Sequence, residues 1–94
     1  MRYVLLGQLG ADWIMRHRER VDSVMKKFDE LGITLETWYY TQGAFDFIDI
    51  IDAPDAESVL AFSAWYGGRG MGRVQSMPAF DGDTLARAVD KARG

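Results

Sequence analysis

At 94 residues, 48% of them hydrophobic, the chain suits a single domain over 1–94 and is too apolar for a disordered segment. A net charge of −3 speaks against a nucleic-acid partner, and the absence of cysteine excludes disulfides, thiolate nucleophiles and thiolate metal sites together. No apolar run approaches the roughly 18 residues of a membrane span, so the expectation is a cytoplasmic protein with no membrane partner.

Residues 2–9, Arg2-Tyr3-Val4-Leu5-Leu6-Gly7-Gln8-Leu9, are nearly continuous in apolar character, as befits a central strand covered on both faces. Gly10 breaks the run. A helix is expected next, with Ile14, Val21, Val24, Met25, Phe28 and Leu31 at three- and four-residue spacing, ended by Gly32. Residues 33–52 form a hairpin about Gly43-Ala44. A two-residue turn there sets Tyr40 against Phe47. It places Trp38, Tyr40, Phe47 and Ile51 on one face and Leu35, Tyr39, Ile48 and Ile50 on the other.

Pro54 in a first turn, with Asp55 and Glu57 at the positive end, opens a second helix whose packed side carries Val59, Phe62 and Tyr66. Residues 71–80 return as a fourth strand, placed at an edge by Pro78, which has no N–H to donate. The core thus spans 2–80. Residues 81–93 form a terminal helix capped by Asp81 or Asp83, with Leu85, Ala88, Val89 and Ala92 as a docking stripe.

The resulting order, βαββαβ plus a C-terminal helix, is the α+β ferredoxin-like arrangement. Right-handed crossovers put the first and third strands side by side and both main helices on one face. A sheet wetted on one side alternates apolar and polar residues, and this hairpin is apolar on both sides. One helix layer covers one face. Trp38, Tyr40 and Phe47 are expected on the uncovered one, as a patch too large for a soluble monomer. The expected partner is the protein itself, in a homodimer whose sheets face each other as a dimeric α+β barrel.

Thr41-Gln42-Gly43-Ala44-Phe45-Asp46, followed by an apolar strand and Asp52-Ala53-Pro54-Asp55, resembles the GYD domain family, named for a Gly, Tyr and Asp at this turn. Tyr3-Val4-Leu5-Leu6-Gly7 and the stretch from Arg73-Val74-Gln75 to Ala79-Phe80 look like that family's first and last strands. The resemblance implies a dimeric α+β barrel. Phe45 stands where the family has Tyr, so no hydroxyl is required there. The turn is also similar to that of the ligand-sensing domain of leucine-responsive regulators, without the DNA-binding helices those proteins carry upstream.

Two acidic residues of the hairpin are candidates for chemistry. Asp46 closes the turn and is expected to accept backbone N–H bonds there. Asp49 falls beside Trp38 on the face lined by Tyr40, Phe47 and Ile51, where desolvation raises a carboxyl pKa and suits it to proton transfer. His17, the only histidine, lies four residues after Trp13 at the margin of the first helix's core stripe and could act as acid or base near neutrality. Arg73, at the start of the fourth strand, could point inward and steady developing negative charge.

Other features read as structural. The glycines around Gly67-Gly68-Arg69-Gly70 follow a helix and open a strand, the reverse of a dinucleotide-binding loop, and suit a loop over the cavity mouth. Arg16, Arg18 and Arg20 alternate with acidic residues as a solvated helix face. No metal-ligand spacing occurs, and no cofactor is expected. The function expected is binding of a small apolar or aromatic metabolite between sheet and helices by Trp38, Tyr40, Phe47 and Trp65. Its chemistry would be cofactor-independent oxidation, isomerisation or cyclisation using Asp49, His17 and Arg73. The alternative is a non-catalytic ligand-sensing or accessory dimerisation module.

Overall fold

The computed structural model describes residues 1–94. Its elements are β1 (Arg2–Leu9), a short 3-10 turn (Ala11–Trp13), α1 (His17–Leu31), β2 (Thr34–Tyr40), β3 (Phe47–Asp52), α2 (Ala56–Gly68), β4 (Gly72–Pro78) and α3 (Gly82–Ala92). The four strands form one antiparallel sheet in the order β2-β3-β1-β4, so β1 and β3 are central and β4, with Pro78, is an edge. This is the expected ferredoxin-like topology. No helix is long and apolar enough to cross a membrane.

Local chemistry fixes the boundaries. Gly32 ends α1 with φ of 70°, a left-handed conformation glycine adopts without steric cost. Asp55 caps α2 by accepting the Ser58 N–H at 2.8 Å, and Asp81 caps α3 by accepting that of Thr84 at 2.8 Å. The start of α1 differs from expectation. Residues 11–13 form a separate turn and the helix begins only at His17, leaving Ile14 and Met15 exposed rather than in the core. Trp13 and His17 therefore do not share a helix face.

The hairpin pairs as expected near its tip, Tyr40 with Phe47 and Trp38 with Asp49, but a loop over 41–46 replaces the two-residue turn. Asp46 ties that loop to the sheet. Its N–H donates to Gly7 O at 2.7 Å, its carboxylate accepts the Leu9 N–H at 2.8 Å, and its carbonyl accepts the Thr41 N–H at 2.8 Å. At Glu36 the strand bulges, and beyond it Leu35 pairs with Ile51. One extra residue turns Leu35 to the face opposite the one expected. The bulged Glu36 accepts two hydrogen bonds from Arg2, at 2.9 and 3.0 Å.

The core lies between the sheet and the pair α1 and α2. Tyr3, Leu5, Phe47 and Ile51 rise from the sheet to meet Val24 and Phe28 of α1 and Val59, Phe62 and Tyr66 of α2. Each fully buried side chain of this size contributes about 1.5–3 kcal/mol through removal from water. The aromatic face of the hairpin is thus the one on which the helices pack, which corrects the expectation that Trp38, Tyr40 and Phe47 face away from them: Phe47 is buried beneath the helices, while Trp38 and Tyr40, on the same face, stay exposed along the β2 edge. Cross-strand pairing leaves Val4, Leu6, Tyr39, Ile48, Ile50 and Met77 on the open face.

The terminal helix is a second correction. No residue of α3 is buried, and Phe80, Leu85 and Val89 are exposed, so the apolar stripe docks on nothing within the chain. The molecule is correspondingly elongated, 51 × 30 × 20 Å.

Candidate functional site

The sheet is wider than the helices above it, and the uncovered strip lies over the β2–β3 edge. There a cavity of about 380 Å³ opens between α1 and the hairpin, with seven hydrophobic residues among the nine that line it. Trp38, Tyr40 and Phe47 supply its aromatic walls, and Val24 and Leu35 its aliphatic ones. Phe47 lies across Gly7 so closely that any side chain at Gly7 would overlap its ring. Gly7 in the central strand therefore makes room for a ring that forms part of the cavity.

Two polar residues enter this apolar space, Asp49 and Arg20. Asp49 sits in mid-β3 between Leu5 of β1 and Trp38 of β2, and only 9% of it is exposed. Burial pushes its carboxyl up from 3.8 to about 6, with the positive charge of Arg20 pulling in the opposite direction. Arg20 comes down from the first turns of α1 and is 4% exposed. The expectation of a solvated arginine run is thus wrong for this member. Arg20 precedes Val24 by four residues and Phe28 by eight, so the helix period carries it onto the buried stripe.

The Arg20 guanidinium lies over the rings of Tyr40 and Phe47, at 5.9 and 5.7 Å from their centroids. One terminal nitrogen reaches the Tyr40 hydroxyl and His17 Nδ1, both at 3.4 Å. Its Nε has no partner. Behind it the Tyr66 hydroxyl is also buried without a partner; burial pushes that phenol up, and Arg20 nearby works against the shift.

The other expected site residues fall as follows. His17, exposed at the first position of α1, stands at the rim with its ring edge-on to Tyr40 at 5.3 Å. Arg73 pairs with Gln8 and lies on the open face and β4 edge, so it cannot steady charge at Asp49. Trp65 packs on Phe62 and beneath Lys27 and Arg69, outside the cavity. The glycine segment 67–70 runs to β4 rather than over the cavity mouth, and Gly10 N–H donates to Met71 O at 2.7 Å beside it. Sequence reasoning missed Arg20 and Tyr66; Arg20 was visible in its four-residue spacing, and nothing in the chain signals the unpaired hydroxyl of Tyr66.

A four-stranded antiparallel sheet with two helices on one face, and an apolar cavity beneath the first, defines a ferredoxin-like α+β protein. The GYD domain model matches residues 3–89, and the chain belongs to the GYD domain family. It is 25% identical over 90 residues to a Thermus thermophilus protein described as "Glutamine synthetase and cystathionine beta-lyase binding protein", covering 90% of this chain and 95% of that relative. Its fold is similar to that of 5-chloro-2-hydroxyhydroquinone dehydrochlorinase from Burkholderia phenoliruptrix AC1100, solved in complex with 2,5-dihydroxybenzoquinone. The TM-score is 0.62 at 11% identity, over 89% of this chain and 98% of that one.

Proposed function

We propose that the cavity between α1 and the β2–β3 hairpin binds a small apolar or aromatic metabolite and that Asp49 moves a proton on it without a cofactor. The observation carrying this reading is a buried carboxyl group, raised to about 6 by its burial, that shares the floor of a mostly apolar cavity with Arg20. Such a group accepts a proton from a weak acid and returns it elsewhere, which serves isomerisation or cyclisation. Trp38, Tyr40 and Phe47 hold the ligand's flat faces. Arg20 takes the charge-steadying role that its position denies to Arg73.

The test is a thermal-shift screen of small aromatic metabolites, with each ligand-induced shift measured against the unliganded melting point of the same variant. A ligand that stabilises the wild type should lose about tenfold in affinity in Trp38→Ala, an interaction worth about 1.4 kcal/mol. Its turnover, without added metal or nucleotide, should disappear in Asp49→Asn. A ligand held equally well by Trp38→Ala would remove the cavity from consideration.

The working unit in this reading is a homodimer formed through the open face. Val4, Leu6, Ile48, Ile50 and Met77 form a contiguous apolar surface there, and α3 offers a second unpartnered stripe. Standard interfaces bury about 800 Å² per partner, an area a four-stranded sheet face can supply. Sedimentation equilibrium at micromolar concentration should give about twice the 10.6 kDa chain mass. A homogeneous, folded monomer would refute the paired sheets.

A second reading, a non-catalytic accessory protein, draws support from the description of the Thermus thermophilus relative as a binding protein for two enzymes. Tight ligand binding without conversion would favour it over the enzyme.

A further inference from the structure

Building on the proposed ligand cavity, we infer that its occupant is a phenol or enol bound as its oxyanion, the oxygen held by the Arg20 guanidinium and the hydroxyl proton passed to Asp49. Arg20 is a cation buried without an anion bonded to it. A guanidinium does not shed its charge, and this one is 4% exposed, has no carboxylate within 4.0 Å, and leaves Nε without any partner. Buried cations are ordinarily paired. Its two contacts, to Tyr40 and His17, are long and neither partner is an anion. The cation therefore lacks a counter-charge at the point where the cavity reaches it.

Asp49 does not fill that role, because it makes neither a hydrogen bond nor an ion pair to Arg20, although it lies close enough for the two charges to interact. The chemistry of the missing group follows from having both. A permanently charged carboxylate ligand would place two anions around one cation in an apolar space. A hydroxyl compound enters neutral. Its O–H bond breaks, the electron pair stays on the ligand oxygen opposite Arg20, and the proton forms an O–H bond on the Asp49 carboxylate. The total charge of the site is unchanged, and no oxidant or reductant is needed. The aromatic walls, Trp38 and Phe47, suit a flat conjugated ligand whose oxyanion is delocalised.

The test uses 4-nitrophenol, whose neutral and anionic forms differ in visible absorption, and 4-nitroanisole, which has the same ring and no acidic proton. At about one pH unit below the solution pKa of 4-nitrophenol, the wild-type protein should bind it with the spectrum of the anion. It should bind 4-nitroanisole at least about tenfold more weakly. Arg20→Gln should lose the anion spectrum and about tenfold in affinity, whereas Arg18→Gln, on the exposed side of α1, should change neither. Where Arg20→Gln fails to give a folded circular-dichroism spectrum, Arg20→Lys and the wild-type spectrum decide. Binding of 4-nitrophenol in its neutral form, or equal binding of the anisole, would overturn the oxyanion while leaving the cavity intact. Equilibrium dialysis in which neither compound binds would overturn the inference and the cavity reading together.

Discussion

Replacing Asp49 by asparagine should stabilise the unliganded protein at about pH 8, by up to about 3 kcal/mol, and have almost no effect at about pH 4. The sign follows from where the proton is held. The Asp49 carboxyl sits at about 6 in the folded protein against 3.8 ordinarily. The folded state therefore binds that proton more tightly than the unfolded chain does. The stability this contributes is complete below about pH 4 and is lost as the pH rises through about 6. Above that, the folded protein must hold a desolvated carboxylate between Leu5 and Trp38, with Arg20 of α1 and Tyr66 of α2 as the polar groups above it. An amide of the same shape avoids that cost. Urea unfolding of both proteins across this range, at one protein concentration, measures it. A variant less stable than wild type at about pH 8 would mean that Asp49 is a net stabilising partner of Arg20, and its role as a poised proton acceptor would be lost.

A substitution that gains stability and loses turnover is the signature expected where a site holds groups that folding alone would not choose. Arg20 belongs to the same class, a buried cation whose Nε is left without a partner. Both residues were readable in the sequence to different degrees. Asp49 was legible because strand alternation is strict: once Tyr40 pairs with Phe47, two residues on along each strand bring Trp38 opposite Asp49. Arg20 was obscured by its company. Arg16 and Glu19 do form an exposed ion pair, and a stripe traced through apolar residues alone passes over an arginine. Counting back by fours from Phe28 through Val24 reaches it.

The fold shows the same division. Topology was legible because it rests on periodicity, glycine at Gly32 and proline at Pro54 and Pro78, signals that act over a few residues. The face of the sheet that the helices cover was not. Both faces of the hairpin are apolar, so hydrophobicity could not say which one is roofed, and the bulge at Glu36 reversed Leu35 without any glycine to mark it. The late start of α1 escaped for a similar reason. Arg16 is a weak N-cap whose side chain makes no capping hydrogen bond, and Ile14 and Met15 extend the apolar pattern into a segment that is not helical. The terminal helix is marked correctly by Asp81 and its stripe. What that stripe docks on is a tertiary question that no local pattern answers.

Phe62→Ala should cost about 3–5 kcal/mol, enough to unfold much of a domain whose total stability is of the order of 5–15 kcal/mol. The ring is 1% exposed and lies at the junction of the two helices. Phe28 of α1 is 4.5 Å away, centroid to centroid, and Trp65 and Tyr66 of its own helix are at 5.9 and 5.7 Å. Truncation removes a ring contact between α1 and α2 and leaves a void flanked by rings too rigid to collapse into it. Leu60→Ala supplies the contrast. Leu60 stands on the same helix but is exposed, so its loss should stay within about 0.5 kcal/mol. Chemical denaturation of the three proteins at equal concentration gives the comparison, since self-association would otherwise shift the apparent stability. A loss below about 1 kcal/mol for Phe62→Ala would mean that the helices do not meet at this ring. Phe62 does not line the ligand cavity. At temperatures where the variant remains folded it should therefore bind ligand as the wild type does, which separates the residues that hold the helix layer together from Asp49 and Arg20 beneath its edge.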